Sequence, residues 1–414
     1  MKMDIKEFRL LAKSVPKISL QEHIDDCLTI LKLLIVSFPN LPLHDIESFW
    51  KTLTTCVIFH DTGKAHKEFQ KVLYQISSKY WYGQRHELFS LLFVHQANIE
   101  PAQKELVKYA VVGHHKSIEE LNKFVWNNYR YKYSDRTDED DLDFETEKGK
   151  LYQKRTWNIL KGYGYIATEI EAFDIHAYFK QEVKQLYSAQ HQEFIPRLLL
   201  VGYLKQCDHL ASAGIHVIQN IYANEFSFLF KRSLYNHQKE ACKVLGNVIL
   251  SAPTGSGKTE TALLWLQQQL KEIGQGRIFY VLPYTASINA MYERLNNEFG
   301  EKQHRIGMIH SKLQQYIEYD MSDESVFLDD KRQLIEDFKS LVTPLKIVTP
   351  FQLLKHLFGL KGFEKGIAEW SGGYFIFDEI HAYDAKLFAQ ILTLLKFITT
   401  YMNAHVFIMT ATLP

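Results

Sequence analysis

The chain has 414 residues, enough for two or three domains with separate cores, and its 46% hydrophobic and 23% charged residues are those of an ordinary soluble protein. Lys+Arg and Asp+Glu stand at 48 each, so no global positive field exists and any nucleic-acid binding has to be local. Four scattered cysteines (Cys27, Cys56, Cys207, Cys242) form no Cys-x-x-Cys pair, Met1–Lys6 opens no signal peptide, and no apolar run approaches about 18 residues, which excludes a disulfide framework and a membrane span and predicts a cytoplasmic protein.

Residues 1–218 read as a mostly helical domain. Ser19-x-x-Glu22 is a capping box, followed at helical spacing by Leu20, Ile24, Cys27, Leu28, Leu31 and Ile35. Ile46, Phe49, Trp50, Leu53, Cys56 and Val57 repeat the pattern, and His60 continues their stripe. Eight acids crowd residues 134–150, the composition of a solvated insertion. Helical periodicity resumes near 151 and runs through Leu198, Val201, Lys205 and Asp208.

A boundary is expected over 219–234. Beyond it, short apolar runs alternate with helical segments: Val248–Ala252, Ile278–Leu282, Ile306–Ile309, Ile347–Val348, Tyr374–Phe377 and Val406–Met409. That alternation predicts an α/β domain over 235–414, with a mostly parallel sheet covered by helices.

Two groups of residues carry chemistry. His60-Asp61 at a helix end offers an imidazole and a carboxylate side by side, and His23, His86, His114, His115 and Asp208 surround it in sequence. Imidazoles with few carboxylates suit Mn, Fe, Co, Ni or Zn. A carboxylate such as Asp61 can bridge two ions about 3.5–4 Å apart, which clamp the attacking and leaving oxygens of a phosphodiester. Lys64 can neutralise transition-state charge. His66, His95 and His209 receive no role.

The second group is Ala252-Pro253-Thr254-Gly255-Ser256-Gly257-Lys258-Thr259, between an apolar strand and a helix. Backbone N–H groups of Thr254, Gly255, Ser256 and Gly257 can approach phosphates there, Lys258 can reach the β- and γ-phosphates, and Thr259 can ligate Mg²⁺. Asp378-Glu379-Ile380-His381 follows another apolar strand, placing Asp378 to hold Mg²⁺ and Glu379 to activate water. Thr410-Ala411-Thr412 adds hydroxyls after a third strand.

In this order the strings resemble the motifs of superfamily 2 helicases. The resemblance implies adenine recognition by Gln238 in Tyr235-Asn236-His237-Gln238. It also implies nucleic-acid contacts from Tyr284 and Thr285 in Pro283-Tyr284-Thr285, from Thr349 in Val348-Thr349-Pro350, and from Ser311 in His310-Ser311-Lys312. The series His23, His60-Asp61, His86, His114-His115, Asp208 resembles the HD nuclease domain.

An HD domain ahead of such a motor resembles the CRISPR-associated helicase-nucleases of type I interference systems. The resemblance implies an all-α HD metallohydrolase at 1–218, a linker at 219–234 and a first RecA-like P-loop domain at 235–414. It implies two divalent transition-metal ions (Mn, Fe, Co or Ni) in the former, and ATP with Mg²⁺ in the latter. The expected activity is metal-dependent endo- and exonucleolytic cutting of single-stranded DNA, coupled to 3′-to-5′ ATP-driven translocation. The expected partners are single-stranded DNA and a guide-RNA surveillance complex, with no membrane, for a monomeric protein in antiviral defence. The second RecA-like domain and its arginine finger are not within the 414 residues, so the chain is expected to be a fragment or half of a split enzyme, with poor ATP hydrolysis. A competing reading is an HD phosphohydrolase of nucleotides with a P-loop sensor.

Overall fold

The computed structural model describes residues 9–76, 78, 81, 84–128, 147–168, 175–231, 233–299, 305–310 and 341–411. Most of the acid-rich stretch at 134–150, together with Ser311, Lys312 and Thr412, lies outside the described residues. The chain divides into two compact units: residues 1–31 with 45–216, and residues 32–44 with 217–414.

The first unit is helical, with one exception to the all-α expectation. Strands β1 (Leu11–Lys13) and β2 (Ile18–Ser19) form a small antiparallel hairpin. The apolar run Leu10–Ala12 is buried there, and the Gln70 amide satisfies both backbone groups of Leu11: Leu11 N donates to Oε1 (2.9 Å), and Nε2 donates to Leu11 O (2.8 Å). The helices are α1 (Leu20–Ser37), α2 (Ile46–Phe59), α3 (Lys67–Leu73), α4 (His86–Gln96), α5 (Pro101–Gly113), α6 (Ile118–Asn128), α7 (Glu147–Gly162), α8 (Ile175–Ser188) and α9 (Phe194–Ser212). The expected capping box starts α1: Glu22 N donates to Ser19 Oγ at 3.2 Å, and Ser19 N to Glu22 Oε2 at 2.8 Å. Of the α1 stripe Leu20, Ile24, Cys27 and Leu31 are buried, whereas Leu28 is half-buried and Ile35 exposed; of the α2 stripe Phe49, Trp50, Leu53, Cys56 and Val57 are buried and Ile46 is half-buried.

The second unit is a doubly covered sheet. Its elements are α10 (Asn236–Ala241), β3 (Val248–Ser251), α11 (Lys258–Glu272), β4 (Ile278–Val281), α12 (Thr285–Phe299), β5 (Ile306–Ile309), β6 (Leu345–Val348), α13 (Pro350–Leu357), α14 (Phe363–Ala368), β7 (Tyr374–Phe377), α15 (Ala385–Tyr401) and β8 (His405–Thr410). The strands run parallel in the order β3-β8-β7-β4-β6-β5. Strands β4, β6 and β7 are buried along their whole length, as a sheet covered on both faces requires. Because all six strands point one way, the loops after β3, β7 and β8 emerge at one edge.

Two stretches depart from the expected boundaries. Residues 219–234 are no free linker, since Ile221, Phe226 and Leu229 belong to the hydrophobic core of the second unit. Residues 32–44 group with that unit too: Phe38 lies under the Arg277 guanidinium (5.4 Å) and Asn40 Nδ2 donates to Ile273 O at 3.0 Å. Residues 219–234 lack a periodicity that would assign them, and residues 32–37 merely continue the periodic helix α1, whose pattern marks no unit boundary. Among the described residues no helix is long and apolar enough to cross a membrane.

Trp265 on α11 is fully buried against Phe407 (ring centroids 5.4 Å), with its indole N–H donated to Gly246 O at 2.8 Å. Trp265→Ala removes both, so a loss of about 3–5 kcal/mol is expected, read as a lowered denaturation midpoint in urea followed by circular dichroism.

Candidate metal centre and nucleotide site

Five helices of the first unit deliver the predicted ligands to one place. His23 comes from the first turns of α1, His60 caps the end of α2, His86 opens α4, His114 and His115 follow the end of α5, and Asp208 lies on α9. Asp61 stands at their centre, fully buried, ahead of a single 3-10 turn over Thr62–Ala65.

The two oxygens of Asp61 face different partners. Oδ2 lies 3.3 Å from His23 Nε2, 3.5 Å from His60 Nε2 and 2.6 Å from Lys64 Nζ. Oδ1 lies 3.2 Å from His86 Nε2 and 3.9 Å from His114 Nε2. Asp208 Oδ1 joins the first set, 3.2 Å from His23 Nε2, and His115 Nε2 joins the second, 3.2 Å from His86 Nε2. Ligand atoms within 4.8 Å of one another thus form two groups that share Asp61: His23, His60, Asp61 and Asp208, and Asp61, His86, His114 and His115.

These spacings fit metal coordination. Donor atoms held about 2.1 Å from one ion stand roughly 3.0–3.4 Å apart. His60 Nε2 and His114 Nε2 are buried without a hydrogen bond, a costly arrangement that bound cations would relieve. The outer shell agrees. His60 Nδ1 donates to Val57 O (2.7 Å) and His114 Nδ1 to Val111 O (2.5 Å), which fixes the tautomer and leaves each Nε2 lone pair facing inward. The first group is wholly buried, whereas His86 is half-buried and His115 exposed, so the second group opens to solvent.

Electrostatics favour the ligating forms. Burial depresses His60 and, more strongly, His114, where the nearby His115 adds to it. Burial opposes ionisation of Asp61, but Lys64 and the surrounding imidazoles outweigh it and hold the carboxyl well below the usual range. His23 behaves oppositely. Burial works against its charge, but Asp208 and Asp61 outweigh that and raise it to about 9.

Three buried residues that sequence reasoning did not single out hold this turn. A Cβ at Gly63 would lie 1.9 Å from His86 O and 2.6 Å from Ser90 N, so only glycine lets α4 approach. Ser90 Oγ accepts from Gly63 N and donates to His60 O, both at 2.8 Å. Gln70 Nε2 donates to Lys64 O at 2.7 Å as well as to β1. The Gly63 in His60-Asp61-Thr62-Gly63-Lys64 was a visible signal; its partner Ser90 was not. Of the unassigned histidines, His66 packs between Trp81 and Phe89, His95 against Tyr178, and His209 is exposed outside both ligand groups.

At the sheet edge of the second unit, Gly255 (φ 78°) and Gly257 (φ 79°) take left-handed conformations that admit the phosphate loop. Lys258, which opens α11, donates to Ala252 O (3.1 Å) and Pro253 O (3.3 Å) and lies 3.9 Å from Glu379 Oε1. Tyr280 on β4 donates its hydroxyl to Asp378 Oδ2 at 3.0 Å. Burial raises the Asp378 carboxyl. His381 Nδ1 lies 2.8 Å from Thr410 Oγ1, linking the loops after β7 and β8. A cavity of about 840 Å³ is lined by Gln238, Thr254, Gly255, Gly257, Lys258, Thr259, Asp378 and Glu379, and also by Tyr235 and Arg294, which sequence reasoning did not place there. Ser256 is not among its lining residues. Gln238 braces the loop through Gly257 O (3.3 Å) and accepts from Tyr235 N (2.9 Å), which leaves one N–H and one lone pair for a base. Tyr284 is exposed, while Thr285 opens α12 and Thr349 caps α13, both partly exposed.

The DEAD/DEAH box helicase family profile matches residues 235–414. The chain is 25% identical to the CRISPR-associated nuclease/helicase Cas3 of Methanothermobacter thermautotrophicus, over 89% of this chain and 48% of the relative. It is 31% identical to a putative CRISPR-associated nuclease/helicase Cas3 of Methanocaldococcus jannaschii, over 45% of this chain and 25% of the relative. Crystal structures of T. fusca Cas3 share the fold, the ATP complex with a TM-score of 0.59 at 18% identity, over 98% of this chain and 50% of that one. The chain thus spans about half the length of these relatives.

Gly63→Ala is expected to push α4 and His86 away from Asp61. Metal analysis should show fewer ions bound per chain, and thermal melting a loss of about 1–3 kcal/mol. Unchanged stoichiometry would mean that the close approach at Gly63 does not hold the site.

Proposed function

Starting from a homologue of the Cas3-type CRISPR-associated helicase-nucleases, we propose that the first unit is an HD-type nuclease domain that cuts single-stranded DNA, and that the second is the nucleotide-binding half of a 3′-to-5′ DNA translocase. The observation that carries this is the division of the Asp61 oxygens between two ligand groups. His23, His60, Asp61 and Asp208 would hold one divalent transition-metal ion, and Asp61, His86, His114 and His115 the other. Such a pair supplies Lewis acidity to the attacking and leaving oxygens of a phosphodiester. Lys64 balances the charge of Asp61, and the exposed side at His115 admits the strand.

In the second unit the loop from Thr254 to Thr259 would bind ATP, Asp378 would hold its Mg²⁺, and Glu379 would orient water. Tyr284, Thr285 and Thr349 stand at the strand ends where a nucleic-acid backbone would run, and Ser311 completes that proposed set. The proposed partner is a guide-RNA surveillance complex that presents displaced DNA, and the proposed setting is cytoplasmic antiviral defence.

With Mn²⁺, the chain should degrade circular single-stranded DNA without ATP. Asp61→Ala should abolish cutting, because it removes a ligand from both groups at once. Lys258→Ala should abolish nucleotide binding, while cutting without ATP persists. Loss of that cutting in Lys258→Ala would refute the division of labour, and faster hydrolysis of mononucleotides than of DNA would favour a nucleotide phosphohydrolase.

A further inference from the structure

We propose that the first ligand group also forms a trap for thiophilic divalent cations such as Zn²⁺, Cd²⁺ and Co²⁺, in which the Cys27 sulfur joins His23 and His60. This rests on reading His23 and His60 as metal ligands. Cys27 follows His23 by four residues on α1, so one helical turn places both side chains on the same face. Both are buried, and Cys27 Sγ lies 3.8 Å from His23 Nε2. The separation decides the chemistry. An ion bound at about 2.3 Å to sulfur and about 2.0–2.1 Å to nitrogen in tetrahedral geometry sets those atoms roughly 3.5 Å apart.

His60 supplies the third donor. Its ring is fully buried, its Nδ1–H is taken by Val57 O, and its Nε2 has no hydrogen-bond partner. The ligand atoms of His23, Cys27 and His60 lie within 4.8 Å of one another, a group distinct from the one containing Asp61 and Asp208. The two shared imidazoles therefore face alternative donors: carboxylates, which suit hard ions, and a thiol, which suits soft ones. On coordination the S–H bond is replaced by a sulfur–metal bond and the proton leaves to solvent, with no change of oxidation state. A soft ion captured in this way withdraws His23 and His60 from the Asp61 centre. Zinc is thus expected to inhibit an activity that manganese supports.

Two further buried thiols serve as internal controls. Cys56 on α2 and Cys207 on α9 are as deeply buried as Cys27, but among the described residues neither belongs to a group of metal-ligating atoms. A sulfur that merely fills space would make no bond to an added ion.

The test is titration of the metal-free chain with Co²⁺ under reducing conditions. Visible d–d absorption reports an ion held at the site by the histidines with either set of further donors, and a near-ultraviolet charge-transfer band reports a cobalt–sulfur bond. The wild-type chain should show both, Cys27→Ser should lose only the near-ultraviolet band, and Cys56→Ser and Cys207→Ser should keep it. In competition, the Zn²⁺ concentration that half-displaces Co²⁺ should rise at least about tenfold in Cys27→Ser, since losing a direct ligand costs no less than losing an outer-shell partner. Visible absorption without the near-ultraviolet band in the wild type would overturn the trap and leave the metal centre standing. Absence of both bands would overturn the reading of His23 and His60 as ligands as well. A band that survives in Cys27→Ser would assign the sulfur elsewhere. If Cys27→Ser does not fold, the wild-type spectrum and Cys27→Ala decide.

Discussion

Asp61 is a carboxylate with no exposed surface and two oxygens turned towards different imidazoles, and a buried charge of that kind has to be compensated from several directions. Lys64 compensates it from the next turn, at 2.6 Å, and the imidazoles approach from four helices. Several of those side chains come from helix ends: His60 at the close of α2, His86 at the start of α4, His114 just past α5. Ends can converge on a point where helix middles would collide. The cost is that the turn after α2 must approach α4 backbone to backbone. Gly63 leaves the space, while Ser90 and Gln70 satisfy the polar groups brought together there.

The second unit solves its problem with backbone direction rather than with a buried charge. Parallel strands put the loops after β3, β7 and β8 on one edge, and β8 lies between the other two. That order explains the contacts. The phosphate loop leaves β3, Asp378 and His381 follow β7, and Thr410 ends β8, so His381 reaches Thr410 across neighbouring strand ends. Tyr280 reaches Asp378 from β4, the other neighbour of β7. The Asp378–His381 loop is therefore hydrogen-bonded to the strands on both sides of β7.

What could be read from the sequence was what is local. The capping box at Ser19, the apolar stripes of α1 and α2, and all six strands of the large sheet follow from periodicity and end chemistry within a few residues. The ligand series from His23 to Asp208 was visible as residue types in order, and the possibility that Asp61 bridges followed from its chemistry. Which oxygen meets which histidine was not legible, because it depends on the packing of α1, α4, α5 and α9. Ser90 stayed hidden for the same reason, its partner Gly63 lying 27 residues away, and Gln70 joins Lys64 in the turn to Leu11, 59 residues away. The hairpin at Leu11–Ser19 was too short to show a period of two. The stretch 219–234 lacked either periodicity, and its burial of Ile221, Phe226 and Leu229 is a property of the core it joins.

The two ligand groups also differ in a way that bears on how a polymer could be cut. The first carries two carboxylates and two imidazoles and is closed; the second carries one carboxylate and three imidazoles and opens at His115. Fewer anionic donors leave more positive charge for an incoming phosphate, and the opening lies on that same side. On the proposed nuclease reading, a strand would meet the less neutralised group first, and the closed group would support it through the shared carboxylate. This asymmetry also gives Cys27 its significance. A soft ion captured beside α1, as proposed, would sit on the closed side and act on the open side only through His23, His60 and what Asp61 would then lose.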